Sequence, residues 1–342
     1  ALVHGYLCGQ AGASSVLKVI LGELNPCGKL AESYPLKYED VPSAPYFPSK
    51  QRSAEYREGL YVGYRYYETA NIPVLFPFGF GLSYTTFAYS DLQVSQEEVR
   101  FTLKNTGRMD GAEIAQLYVS KPSGQVYRPA KELKGFRKVF LKAGESKTVT
   151  IPLDDKAFRY FNVKTNRFEV EGGEYQILIG ASVADIRLSG SVAVADSGAP
   201  IPWNKSDLPS YSAGTIKAVS DREFETLLDR PIPDGSWSGT LEMNDALCQM
   251  YYAKSGLARL AYKILTHFLN KSIEKGEPNL NLMFNYNMPF RAIAKMTGGI
   301  CTMEMAQGIL TVVNGHFFKG AGAIIGGFSR SGKLHKTAKK WE

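Results

Sequence analysis

A chain of 342 residues, 44% hydrophobic and 21% charged, has the composition of a globular protein and length for two or three domains with buried cores. No apolar run reaches the roughly 20 residues of a membrane-spanning helix, and the opening residues do not form a charged-then-apolar secretory signal. Of the formal charge of +7, Arg330, Lys333, Lys336, Lys339 and Lys340 against Glu342 supply +4; the remainder is close to neutral, which argues against a basic nucleic-acid-binding face.

The chain opens at Ala1, and ALVHGY reads as the end of a buried strand followed by a Gly9-Gln10-Ala11-Gly12 turn. Residues 13–24 place Val16, Leu17, Ile20, Leu21 and Leu24 on one face at helical spacing, with Ser14 or Ser15 as the cap. Asn25-Pro26 ends this helix, and Gly28 turns the chain out. One strand–turn–helix unit cannot cover both faces of its strand. Residues 1–74 are therefore expected to be the C-terminal piece of an α/β sandwich domain, cut from a larger sheet.

Residues 38–54 are rich in Pro, Ser and Tyr and read as surface loop. The run YREGLYVGYRYYE, residues 56–68, mixes rings, cations and carboxylates, the combination that stacks on sugar faces and bonds to hydroxyls. Tyr56 and Glu58 are the candidates for the rim of a sugar pocket. Arg65 has a second reading, as an ion-pair partner of Glu58 or Glu68 that stitches loop to domain.

A junction follows at residues 75–86. In LFPFGFGLSYTTF, Gly79 and Gly81 alternate with Phe76, Phe78 and Phe80, which suits tight turning or close backbone approach between filled apolar spaces. Tyr84 to Phe87 has strand character. From there VRFTLKNTG, EIAQLYVS, ELKGFRKVFL, SKTVTIPL, FRYFNV, RFEVEGGEYQILIGAS and IRLSGSVAV alternate apolar and polar residues between turn signals. About seven strands at this spacing predict an immunoglobulin-like β-sandwich over 87–198.

Residues 199–342 read as a linker and a mainly helical extension. Ser220 and Glu223 form a capping box that starts a short helix ending before Pro231. From Asn244 a long helix carries Leu247, Tyr251, Leu257, Leu260, Ala261 and Ile264 as an apolar stripe, and another helix runs from Thr302 to Val313. Packing of that stripe on the chain's own sandwich and docking on a partner helix or second subunit are both open. Cys8, Cys27, Cys248 and Cys301 lack zinc or paired spacing and read as free thiols of a cytoplasmic protein. His4 and His267 read as partly buried rings, and the four histidines have no metal-ligand spacing; no metal or cofactor is called for.

Two runs resemble one family closely. GQAG, VLKVILGELNPCGKL and SYP, then YREGLYVGYRYYE and the glycine–phenylalanine junction, are similar to the end of the second domain of glycoside hydrolase family three. KELKGFRKVFLKAGESKTVTIPL, residues 131–153, resembles the fibronectin type III-like domain of that family. Cys27 stands where Ser is usual and Ala11 where Glu is common.

The resemblance implies a retaining β-glycosidase acting on terminal non-reducing β-D-glucosyl residues of a β-glucoside or oligosaccharide. It also implies an upstream catalytic barrel, in the same gene or a separate chain, that bears the nucleophilic Asp, and an acid/base Glu that precedes Ala1. Neither motif occurs here, so no catalytic residue is assigned and the chain by itself is expected to be inactive. The alternatives are a non-catalytic assembly subunit, with homo-oligomerisation through the tail, and a carbohydrate-binding accessory module.

Overall fold

The computed structural model describes residues 2–47, 51–236, 240–297 and 300–338, with side chains as far as Arg330. Ala1, Lys339, Lys340 and Glu342, and the side chains of Lys333, His335 and Lys336, lie outside the described residues. The chain forms two compact units, one of residues up to 47 with 54–233, the other of 51–53 with the residues from 234 on.

Residues 2–6, expected to end a strand, form no ladder, and Tyr6 has a positive φ of 48°. A strand exists only through its partner's hydrogen bonds, and the local sequence cannot supply one. Helix α1 spans Gly12–Ile20. It starts before Ser14 and Ser15, at Ala11 with no side-chain cap, because Gly9 at φ 67° turns the chain straight into it. It also ends short of Asn25-Pro26: Gly22 at φ 77° donates to Val19 O, and Glu23 N to Lys18 O, a glycine C-cap. Leu17 and Ile20 on the helix, and Leu21 and Leu24 after it, are exposed.

Strand β1 (Tyr34–Pro35) pairs antiparallel with β2 (Val74–Phe76), closing the Tyr-rich segment into a loop. Within that loop Gly63 at φ 59° admits a short helix, α2 (Tyr64–Thr69), which the alternating rings did not signal.

The sandwich has seven strands in two antiparallel sheets. One sheet holds β3 (Phe87–Val94), β4 (Glu98–Asn105) and β7 (Ser146–Pro152) in the order β3-β4-β7. The other holds β5 (Gly111–Ser120), β6 (Glu132–Leu141), β10 (Gly173–Gly180) and β11 (Ile186–Val194) in the order β11-β10-β5-β6. Val99, Phe101 and Leu103 from β4 meet Ala115, Leu117 and Val119 from β5 and Tyr175, Ile177 and Ile179 from β10 in one core.

The run RFEVEGGEYQILIGAS reads as a single strand in the sequence and folds as two. Strand β9 (Arg167–Val170) joins β8 (Arg159–Asn162) in a separate hairpin, and β10 begins at Gly173 with φ 118°. Asp196 holds the break, accepting from the N–H groups of Gly172 and Gly198 at 2.8 and 2.6 Å.

Helices α3 (Pro209–Ala213) and α4 (Asp221–Leu228) complete the first unit. Ser220 caps α4 by accepting from Glu223 N. The Glu223 carboxylate does not close a capping box; it turns to the start of α3 and accepts from Ser210 N at 2.7 Å. Leu208, Tyr211, Ile216, Val219 and Phe224 then pack with Tyr61, Tyr66 and Tyr67 in a second core.

The second unit is helical: α5 (Gly256–Glu274), α6 (Leu280–Asn287), α7 (Phe290–Met296), α8 (Met303–Val313) and α9 (Phe317–Ala338). Residues 51–53 join it through Arg52, whose guanidinium meets Glu242 at 2.5 Å. The helix expected from Asn244 starts only at Gly256, where Ser255 accepts from Ala258 N; residues 247–252 form a 3-10 turn. Of its expected stripe only Leu247 packs on the core; Tyr251, Leu257, Leu260, Ala261 and Ile264 are all exposed, while Ala258 and Leu269 face the core. Helices α8 and α9 cross closely at two glycines. A Cβ on Gly320 would sit 2.5 Å from Gly308 O, and one on Gly308 would sit 2.9 Å from Gly320 O.

All four cysteines are free, and burial pushes the Cys248 and Cys301 thiols up. His4 and His267 are exposed rather than partly buried; His4 lies edge-on against Tyr6, with Nε2 3.3 Å from the Tyr34 hydroxyl.

Candidate substrate-binding rim

Tyr56 and Glu58 sit in a tight turn in which Gly59 N donates to Tyr56 O and Tyr61 N to Glu58 O, at 3.3 and 2.9 Å. Gly59 takes a positive φ of 54°, which an L side chain rarely adopts. The turn sends successive side chains to opposite sides. Tyr56 is 75% exposed and Glu58 half-buried, with Leu60 and Val62 also outward. Arg57 and Tyr61 point inward and are buried.

Those two inward residues hold the turn rigid. Arg57 pairs with Glu55 and Asp221, each at 2.6 Å, donates to Val219 O at 2.8 Å, and lies over the rings of Tyr46 and Phe224. Burial costs the guanidinium, but its bonds to Asp221 and Glu55 more than offset that cost and hold its proton more firmly than usual. The Tyr61 hydroxyl donates to Tyr211 O, and the Tyr211 hydroxyl donates to Arg57 O. Removal of both phenols from water pushes their pKa values up, so both remain neutral donors.

Arg65 does not form the expected pair with Glu58 or Glu68. Its guanidinium lies over the Tyr64 ring, and Glu68 pairs with Lys131 at 2.6 Å. The helix α2 accounts for this, since it sends Glu68 toward the segment before β6. Arg57 was the missed residue: its main partners, Val219 and Asp221, lie more than 160 positions away, and no local pattern announces them.

The junction fastens the α/β piece to the sandwich along its length. Leu30 N donates to Phe80 O and Gly79 N to Leu30 O, both at 2.8 Å. The Asn25 side chain accepts from Ser83 Oγ and Tyr84 N and donates to Asp110 O. Gln116, on the outward side of β5, donates to Gly79 O at 3.1 Å and Ala181 O at 2.9 Å, and accepts from the Tyr118 hydroxyl. Phe78 packs on Tyr64 with centroids 4.6 Å apart. Gln116 and Tyr118 are consequently buried on what strand alternation alone would make the solvent face.

An exposed ring and a carboxylate on a braced turn can stack on a sugar and accept its hydroxyls; bond cleavage with retention needs two carboxyl groups about 5–5.5 Å apart. The fold is thus that of a mixed α/β piece joined to an immunoglobulin-like sandwich. Residues 1–84 match the glycosyl hydrolase family 3 C-terminal domain, and residues 113–183 match the fibronectin type III-like domain.

Thermostable beta-glucosidase B of Acetivibrio thermocellus is 50% identical over 202 residues, covering 57% of this chain and 27% of that protein. An exo-alpha-(1->6)-L-arabinopyranosidase of Bifidobacterium breve is 45% identical over 206 residues, 59% of this chain and 27% of its own. The crystal structure of a family-three beta-glucosidase from Bifidobacterium adolescentis superposes with a TM-score of 0.55 at 43% identity, covering 58% of this chain and 30% of that one. Two successive segments of this chain are thus similar to the C-terminal domain of glycosyl hydrolase family 3 and to a fibronectin type III-like domain. The chain spans about a quarter of the length of the curated relatives it matches.

Proposed function

We propose that this chain is the C-terminal portion of a retaining β-glycosidase that removes terminal non-reducing β-D-glucosyl residues. The nucleophilic Asp and the acid/base Glu come from upstream sequence or another chain, and Tyr56 and Glu58 line the rim of the sugar pocket. The observation that carries this reading is 50% identity to a beta-glucosidase over 202 residues, beside matches to a glycosyl hydrolase family 3 C-terminal domain and a fibronectin type III-like domain. In this reading the junction sets the position of the domain that brings the acid/base to the nucleophile, and the braced turn offers Tyr56 and Glu58 to the sugar. The upstream barrel is the partner required for turnover.

The test is hydrolysis of 4-nitrophenyl β-D-glucopyranoside by this chain alone and by the chain joined to its upstream sequence. Because two bifidobacterial relatives are exo-alpha-(1->6)-L-arabinopyranosidases, the α-L-arabinopyranoside belongs in the same assay. Activity only in the joined form is expected, with KM raised in Tyr56→Ala and Glu58→Gln. A joined protein that hydrolyses no pyranoside overturns the proposal in favour of an assembly subunit.

A further inference from the structure

The second unit combines two properties that no part of the glycosidase reading uses. Residues 234–342 contain 13 Lys and Arg against 7 Asp and Glu, so a net +6 of the chain's +7 belongs to them. The same unit leaves large apolar side chains in water. On α5, Leu257, Leu260, Ile264 and Phe268 are each more than half exposed and recur at the spacing of one helix face. Phe318, Ile325 and Phe328 on α9 are likewise exposed, Phe318 at 90%.

The α5 stripe has a definite pattern. It runs over 12 residues, about 16 Å of helix from first to last at 1.5 Å rise per residue. Lys271 and Lys275, both exposed, follow Phe268 at i+3 and i+7 on the same face. Arg259 and Lys263 are exposed farther round the helix, and Glu274 is its one acidic residue. The opposite side, with Ala258 and Leu269 buried, holds α5 to its own unit, so the stripe is additional to what packing needs.

Charge selects among possible occupants. A second copy would bring +6 against +6, which like-charge repulsion opposes. An anionic surface with an apolar interior satisfies both properties, because Leu, Ile and Phe can enter the acyl boundary while flanking lysines reach the headgroups. We propose that the helical unit docks through the Leu257–Phe268 stripe of α5 on an anionic membrane surface, lying on it rather than crossing it.

The experiment is co-sedimentation of the whole chain with vesicles of phosphatidylcholine alone, and of phosphatidylcholine with phosphatidylglycerol at roughly two to one. Binding to the anionic vesicles only, weakened by salt, is the expected result. Ile264→Ser/Phe268→Ser and Lys271→Glu/Lys275→Glu should each weaken it by about tenfold or more. Far-UV circular dichroism and melting, unchanged in both because the four side chains are exposed, confirm folding.

Absence of vesicle binding overturns the proposal, as does equal binding to the two vesicle types. Wild-type binding by the Ile264→Ser/Phe268→Ser protein also overturns it, assigning the effect to the basic C-terminal residues alone. So does retention on immobilised polyglutamate by the wild type, lost in that variant, with vesicles ignored; an acidic protein is then the partner.

Discussion

A Cβ placed on Gly81 would lie 2.1 Å from the carbonyl oxygen of Gly28, a backbone atom that no rotamer change can move. Gly79 is constrained differently, by a φ of 79° and by the Gln116 amide 2.0 Å from where its Cβ would be. Gly81→Val must therefore push apart the two chain segments bonded at Leu30 and Phe80. The expected cost is about 3 kcal/mol, at the upper end for overpacking. Thermal melting of the variant against wild type measures it. On the glycosidase reading proposed above, displacement of the domain by about 1 Å in the joined protein should lower turnover on the order of a hundredfold. Unchanged melting and turnover would show that the junction tolerates a side chain there.

Local chemistry explains which parts of this fold were legible. Strand alternation around Val99, Phe101 and Leu103, the Ser220 cap, and the helix running to Val313 are short-range signals and appear where the sequence placed them. The glycines of the junction were legible as a constraint, though not as to which atoms they approach. Arg57 with Asp221, Asn25 with Asp110, and Glu223 with Ser210 join distant or unrelated segments, and only the folded backbone decides such pairs. The candidate rim residues Tyr56 and Glu58 were chosen from their types alone, and the buried Arg57 and Tyr61 that brace their turn were not signalled by any local pattern.

Asn25 is the polar counterpart of the Gly81 contact. Its side chain makes three hydrogen bonds, to Ser83, Tyr84 and Asp110, which tie the end of the α1 segment to the junction and to the turn before β5. Asn25→Ala should cost about 1–2 kcal/mol, since each bond contributes roughly 0.5–1.5 kcal/mol net and water can replace part of the loss at this half-buried site. Asn25→Asp keeps the acceptor for Ser83 and Tyr84 but places charge against Asp110 O. It should recover only part of the loss in chemical denaturation.

Truncation separates the two cores of the first unit. A chain ending at Pro233 retains Leu208, Tyr211, Ile216, Val219 and Phe224, so its melting should show the sandwich and the Tyr61 cluster together. A chain ending at Pro200 keeps the sandwich core intact. It uncovers Tyr61, Tyr66 and Tyr67 and removes both the Asp221 partner of Arg57 and the Tyr211 carbonyl. Hydrogen exchange should then rise at residues 57–69 while β4, β5 and β10 stay protected. Equal protection of 57–69 in both truncations would mean that these residues are held from the sandwich side alone.

Acid should act first at turns where backbone N–H groups hold a carboxylate charged. The Asp196 carboxyl is held below its usual 3.8 by hydrogen bonds from Gly172 N and then Gly198 N, with a smaller pull from Lys121. Glu145 is held below 4.5 by Lys142 N, with Lys147 beside it. In both cases the unfolded chain takes up the proton at higher pH than the folded one. Their contribution is therefore present above the unfolded values and lost as pH falls from about 4.5 through the depressed folded values. Asp196→Asn removes that titration and keeps one acceptor oxygen for the Gly172–Gly198 turn. Its melting temperature should be below wild type at pH 6 and should fall less steeply between pH 4.5 and pH 2.5. Parallel melting curves for the two proteins through that range would show that the Asp196 carboxylate has no special hold on its proton.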